Sequence, residues 1–99
     1  MGLVNYGPDG LVFEGRITPR DLEDLEEAFA TLRHSDVGTP TVDFAGVDYI
    51  PSRAIGHLVA LWVDMSEQGR RFELLVSDRV RDVLDNTGVA AVFFGRPKF

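Results

Sequence analysis

Proline 51 stands where two hydrophobic patterns meet. Before it, TVDFAGVDYI holds the apolar, β-branched run of a buried strand and its exit. After it, residues 52–68 read as a helix that is apolar around much of its circumference, through Ile55, Leu58, Val59, Leu61, Trp62 and Met65. Proline has no N–H to give to a sheet ladder and pushes Ile50 into extended geometry, so the strand must be over by residue 51. A buried strand that hands directly to a long helix is the unit from which an α/β sheet is built. It also puts Ser52 at the carboxyl end of a sheet strand, where open α/β folds tend to place their sites.

The remaining segments extend this pattern. LVNYG and LVFEG, separated by the turn signal GPDG, read as a hairpin. In ITPRDLEDLEEAFATLRH, Thr18 is placed as N-cap, Pro19 as the first helical residue and Asp21 at the capping-box position. Leu22, Leu25, Phe29 and Leu32 form the inward stripe of that helix, and Glu23, Asp24, Glu26 and Glu27 point away from it. Gly69 is placed to end the second helix. RFELLV reads as a fourth strand, and SDRVRDVLDNTGV as a third helix capped by Ser77 or Asp78 and stopped at Gly88 and Val89. The tail VFFGRPKF reads as a short strand or a cover over the core. Two strands, helix, strand, helix, strand, helix implies one domain over residues 1–99, with a sheet that is mixed because of the first hairpin.

Composition narrows the function. At 99 residues and 44% hydrophobic content, the chain can close one core without staples. It has no cysteine, which removes disulfides and thiolate metal sites and suits a reducing cytosol, and its two isolated histidines cannot build a metal cage alone. A formal charge of -6 opposes binding to nucleic acid, which is driven by neutralising phosphates. No export signal, lipid anchor or bilayer-spanning run is visible, so a cytoplasmic protein without membrane insertion is expected. Protein partners fit this balance best.

Over nearly its whole length the chain resembles the STAS domains, which include the bacterial anti-sigma factor antagonists. The resemblance is carried by EGRIT with Gly15, by VDFAGVDYI, by SRAIG, by EQGRRFELLV and by VRDVLDNTGV. The family signature typically reads Asp-Ser-Ser-Gly-Leu-Gly, and its first serine accepts phosphate from a partner kinase that is also the anti-sigma factor. Ser52 falls on that serine, Ile55 on the leucine and Gly56 on the second glycine. Pro51 replaces the aspartate, Arg53 a small neutral residue and Ala54 a glycine, and Thr18 stands where an acidic residue is usual. The resemblance implies a mixed sheet of four or five strands with helices starting near residues 18, 52 and 78 packed mainly on one face. It makes Ser52 the phosphorylation candidate, and Pro51, Ser52, Arg53, Ile55, Gly56 and Val59 the candidate partner-binding residues.

Each candidate residue also has a plainer explanation. Serine is among the best N-caps, so Ser52 is either a cap alone or a switch whose phosphate meets free N–H groups at a helix start. Asp43, Asp48 and Asp64 lack metal-ligand spacing, and His57, five residues beyond Ser52, is not presented toward its hydroxyl. His34, at a polar helix end, suits the dipole there. RVRDV reads as an ion-paired face rather than a basic patch. Val59, Val63 or their neighbours are expected to leave exposed apolar surface on the second helix. No glycine-rich phosphate loop is present. Three functions follow. The leading one is an anti-sigma factor antagonist-like module docking on a kinase-type anti-sigma factor. The second is a phosphorylation-independent subunit of a transporter ATPase or signalling scaffold. The third, an enzyme, lacks a nucleophile and base at usable spacing, so neither turnover nor a cofactor is expected.

Overall fold

The computed structural model describes residues 3–7, 9–36 and 38–94. In chain order its elements are β1 (Leu3–Gly7), β2 (Gly10–Arg16), a single 3₁₀ turn (Pro19–Asp21), α1 (Leu22–Arg33), β3 (Thr41–Tyr49), α2 (Ser52–Glu67), β4 (Glu73–Val76), α3 (Asp78–Thr87) and α4 (Ala90–Phe94). The four strands form one sheet in the order β1-β2-β3-β4. The hairpin β1–β2 is antiparallel, and β2–β3 and β3–β4 are parallel, because each of the latter pairs is joined through a helix. The fold is therefore α/β with a mixed sheet. Gly10 opens β2 at a φ of 150°, and a Cβ there would overlap the backbone of Thr41, so only glycine lets β2 and β3 start side by side.

Along the central strands Leu11 and Phe13 on β2, Val42 and Phe44 on β3 and Leu74 on β4 are buried in one cluster with the inward residues of α1, α2 and α3. Phe13 sits at its middle, 4.7 Å from Phe44 and 5.9 Å, edge-on, from Phe29 of α1, contacts that fix ring orientation as well as remove area from water. The opposite side of the same strands carries Val12, Asp43, Ala45 and Leu75, half-buried or exposed.

One irregularity positions the end of β3. Val12 pairs with Asp43 but Glu14 with Gly46, and Gly15 pairs with Val47 but Arg16 with Tyr49, so β3 twice takes one residue more than β2. The first bulge lets Phe44 and Val47 both reach the core while Ala45 and Gly46 stay exposed. Asp43 accepts a hydrogen bond from the freed Ala45 N–H at 2.8 Å, which is the local reason for an aspartate inside a strand.

Three boundaries differ from the sequence expectation. The helix expected at Thr18 opens as the 3₁₀ turn and becomes α-helical at Leu22. There Asp21, which is buried, accepts from the Thr18 N–H at 2.8 Å and from its hydroxyl at 3.0 Å. The fourth strand is shorter than RFELLV, beginning at Glu73. The tail is not a strand as far as Phe94 but does cover the core: after Gly88 in the left-handed conformation, the Val89 N–H bonds the Leu84 carbonyl at 3.1 Å and the chain turns into α4, with Ala90 buried and Phe93 packed on the core. The remainder of VFFGRPKF lies outside the described residues. Gly69, at a φ of 70°, follows the end of α2 as its position in the sequence implies.

Candidate functional site

The candidate site is the N-terminal end of α2, where β3 hands over to the helix. Ile17, just past β2, donates its N–H to the Tyr49 carbonyl at 3.0 Å, prolonging the β2–β3 pairing to the last residue of β3. Arg16 stacks over the Tyr49 ring at 4.4 Å on this end of the sheet. Ile50 is buried, Pro51 half-buried, and Ser52 and Arg53 are exposed. Pairing, stacking and the buried Ile50 anchor the base of the site to the sheet.

The expectation that Ser52 is the helix cap is corrected by the geometry. Pro51 holds the N-cap position, extended at φ -77° and ψ 159°, and its carbonyl accepts from the N–H groups of Ala54 at 3.0 Å and Ile55 at 3.2 Å. Ser52 is therefore the first residue inside the helix. No side-chain cap bond forms, and among the described residues the Ser52 hydroxyl has no hydrogen-bond partner. The physical reason is that proline's fixed φ suits the residue entering a helix, which moves the turn one position toward the N-terminus. A helix start without a cap leaves N–H groups directed at solvent and the positive end of the dipole beside an exposed hydroxyl.

The other candidates divide between surface and core. Ile55 is buried and Val59 half-buried, so both anchor α2 and offer a partner little or no contact area. Arg53 and Gly56 are exposed and, together with Glu23, Glu26, the half-buried His57 and the buried Leu22, line a groove between α1 and α2. A Cβ added at Gly56 would meet nothing within 4 Å, so no packing inside the chain requires a glycine there.

Two polar pairs that sequence reasoning missed join α1 to α2, one at the groove and one beyond it. His57 Nε2 lies 3.1 Å from Glu26 Oε1 near the start of α2, and Arg33 Nε lies 2.9 Å from Asp64 Oδ2 farther along the same two helices. Asp64 is therefore a helix-pairing residue. Arg70 also donates to the Arg33 carbonyl at 2.9 Å and so caps the end of α1. The available signal was spacing: Glu26 and Arg33 on α1, like His57 and Asp64 on α2, are two helical turns apart with the charges reversed.

Other residues singled out from the sequence lie away from this site. Trp62 packs edge-on against Phe72 at 5.0 Å and Phe93 at 5.4 Å and belongs to a core margin. Of the two valines expected at the surface of α2, Val63 is 47% exposed and Val59 is half-buried against the core. Arg81 pairs with Asp85 at 3.3 Å and stacks over Phe94 at 4.3 Å, an ion-paired helix face. Among the described residues no three His, Asp or Glu side chains converge as metal ligands, and no helix is long and apolar enough to cross a membrane. No family model matches the chain, and no curated protein matches it.

Proposed function

We propose that this chain is a regulatory protein-binding module of the STAS type, similar to the bacterial anti-sigma factor antagonists. In this reading it docks on a kinase-type anti-sigma factor in the cytoplasm through the Ser52 end of α2, and phosphorylation of Ser52 releases it. One observation carries the reading: the Ser52 hydroxyl is exposed and unbonded in the first turn of α2, with Pro51 in the cap position instead. A serine that neither caps nor packs is free to take a phosphoryl group from the partner's ATP. The phosphate would meet free N–H groups and the positive end of the dipole, an interaction of about 0.3–1 kcal/mol at an exposed site, so the modified helix keeps its stability. The cost falls on the interface, where added charge and bulk oppose a close contact. Pro51, Arg53 and Gly56 form the contact surface around Ser52, and Ile55 and Val59 hold it in place. Catalysis and nucleotide belong to the partner; this chain binds without turnover and needs no cofactor.

A second reading, a phosphorylation-independent STAS subunit of a transporter ATPase or signalling scaffold, draws on a different observation. The family's two acidic positions hold Pro51 and Thr18, and the carboxylate nearest Thr18 in sequence, that of Asp21, is buried and bonded to Thr18. A kinase that orients its target hydroxyl with such a carboxylate finds none there.

Binding of the Ser52→Ala and Ser52→Glu variants to a kinase-type anti-sigma factor that binds the wild type, with intact mass after incubation with that kinase and ATP, separates the readings. The switch reading expects one phosphoryl mass on the wild type, retained binding for alanine and binding weakened about tenfold or more for glutamate, equivalent to ~1.4 kcal/mol. Equal binding by both variants with no mass gain leaves the second reading.

A further inference from the structure

The helices cover only one side of the sheet. All four bury residues in the single cluster that contains Leu11, Phe13, Val42, Phe44 and Leu74. By alternation along the strands, Val12 and Glu14 of β2, Asp43 and Ala45 of β3 and Glu73 and Leu75 of β4 point the other way, and Val12, Asp43 and Leu75 stand side by side in the paired register. Leu75 is 40% exposed there, beside exposed Glu14, Ala45 and Glu73. Strands paired in parallel, as β2, β3 and β4 are, ordinarily have both faces covered by helices. Among the described residues every helix lies on the core side, so a cover for the second face has to come from another molecule.

We propose that this face docks a basic amphipathic helix of a protein partner, with an apolar stripe on Val12, Ala45 and Leu75 and arginine or lysine on either side of it. Charge selects the partner. The carboxylates of Glu14, Asp43 and Glu73 surround the apolar residues, and among the described residues none of the three is in an ion pair. The cations nearest them in sequence, Arg16 over the Tyr49 ring and Arg71 before β4, stand at opposite ends of the strands and leave the carboxylates between them. A second copy laid face to face about a twofold axis would set this acidic patch against itself, in chains that each carry a formal charge of -6. Area argues the same way. Four strands about 4.8 Å apart, over about five residues, give a flat face of roughly 300 Å², so two copies would bury about half of the ~1,200 Å² at which stable interfaces begin. A helix about 10 Å wide and three turns, or about 16 Å, long fits such a face. None of these residues belongs to the Ser52 end of α2, and the docking does not rest on its modification.

Titration of the full chain with a synthetic peptide of about 18 residues, a leucine stripe at helical spacing flanked by arginines, tests it by amide spectra, against the same peptide with glutamate for each arginine. The shifted amides are expected on β2, β3 and β4, and the acidic peptide is expected not to bind. The double variant Glu14→Gln with Glu73→Gln should weaken binding about fivefold or more, as should Leu75→Ser. The double variant Glu27→Gln with Glu67→Gln, which changes the net charge equally on exposed helix surface, should weaken it less than about twofold. Urea midpoints of all variants confirm that the folded protein is being compared. Equal losses in the two charge variants, shifts confined to the helices, binding of the acidic peptide, or a protein that sediments alone as a dimer and is split by Leu75→Asp overturns the proposal, the last by giving the face to a second copy.

Discussion

Ser77 donates its hydroxyl proton to the carbonyl of Val47, thirty residues earlier in the chain. The same oxygen accepts from the Val80 N–H at 3.2 Å, so one side chain both caps α3 and ties it to β3 just beyond the first bulge. Replacing Ser77 with alanine removes a cap and strands a carbonyl, and is expected to cost about 1–3 kcal/mol in urea unfolding. Ser52→Ala, which removes an exposed hydroxyl with no partner, is expected to change stability by less than about 0.5 kcal/mol. The two serines stand at comparable strand-to-helix junctions, and the contrast between them measures what capping contributes in this fold.

Gly56 and Gly10 are expected to respond to alanine in opposite directions. A methyl group at Gly56 enters open space on a regular helix, so Gly56→Ala should raise stability by about 0.5–1 kcal/mol. At Gly10 it collides with the backbone of Thr41 in a conformation that L residues rarely adopt, so Gly10→Ala should lower the thermal midpoint by several degrees or prevent folding. A destabilising Gly56→Ala would mean that the first turns of α2 are not the regular helix described above.

Trp62 is the chain's single tryptophan, and its ring is walled by Phe72 and Phe93. Phe93→Ala opens one wall and should shift the tryptophan emission to the red at the temperature where the protein is still folded. The accompanying loss, about 1–3 kcal/mol, should fall below that of a fully buried aromatic because Phe93 is half-buried. Phe44→Ala, made at a position with 0% exposure, should cost about 3–5 kcal/mol and leave the emission wavelength unchanged.

How much of this was legible in the sequence depended on whether the deciding contact is local. Pro51, Gly69 and Gly88 each act through their own backbone angles, and the ends of β3, α2 and α3 fell where those residues put them. The hydrophobic stripe of α1 and the buried interior of α2 followed from periodicity in the same way. The bulges of β3 depend on how β2 lies beside it, and nothing in TVDFAGVDYI alone states a partner's register. Ser52 was legible as a residue at the junction but not as an uncapped one, since serine's preference for the cap position competes with proline's and the backbone gave the place to Pro51. α4 escaped because five apolar residues are too few to display a period. The Glu26–His57 and Arg33–Asp64 pairs join residues far apart in sequence and become visible only when two helices are known to run side by side.

The strands lie across the sheet in the order in which the chain presents them. During synthesis on a ribosome, each strand after the first therefore meets a neighbour that has already emerged, and none has to be inserted between two that have closed on each other. Growth by addition also means that every incomplete chain ends in an unpaired edge. Until β4 arrives that edge is β3, the longest strand and the one carrying Val42, Phe44 and Val47. A nascent chain in which β3 has emerged and β4 has not would expose the edge most ready to pair with another molecule, and β4 is the element that closes it.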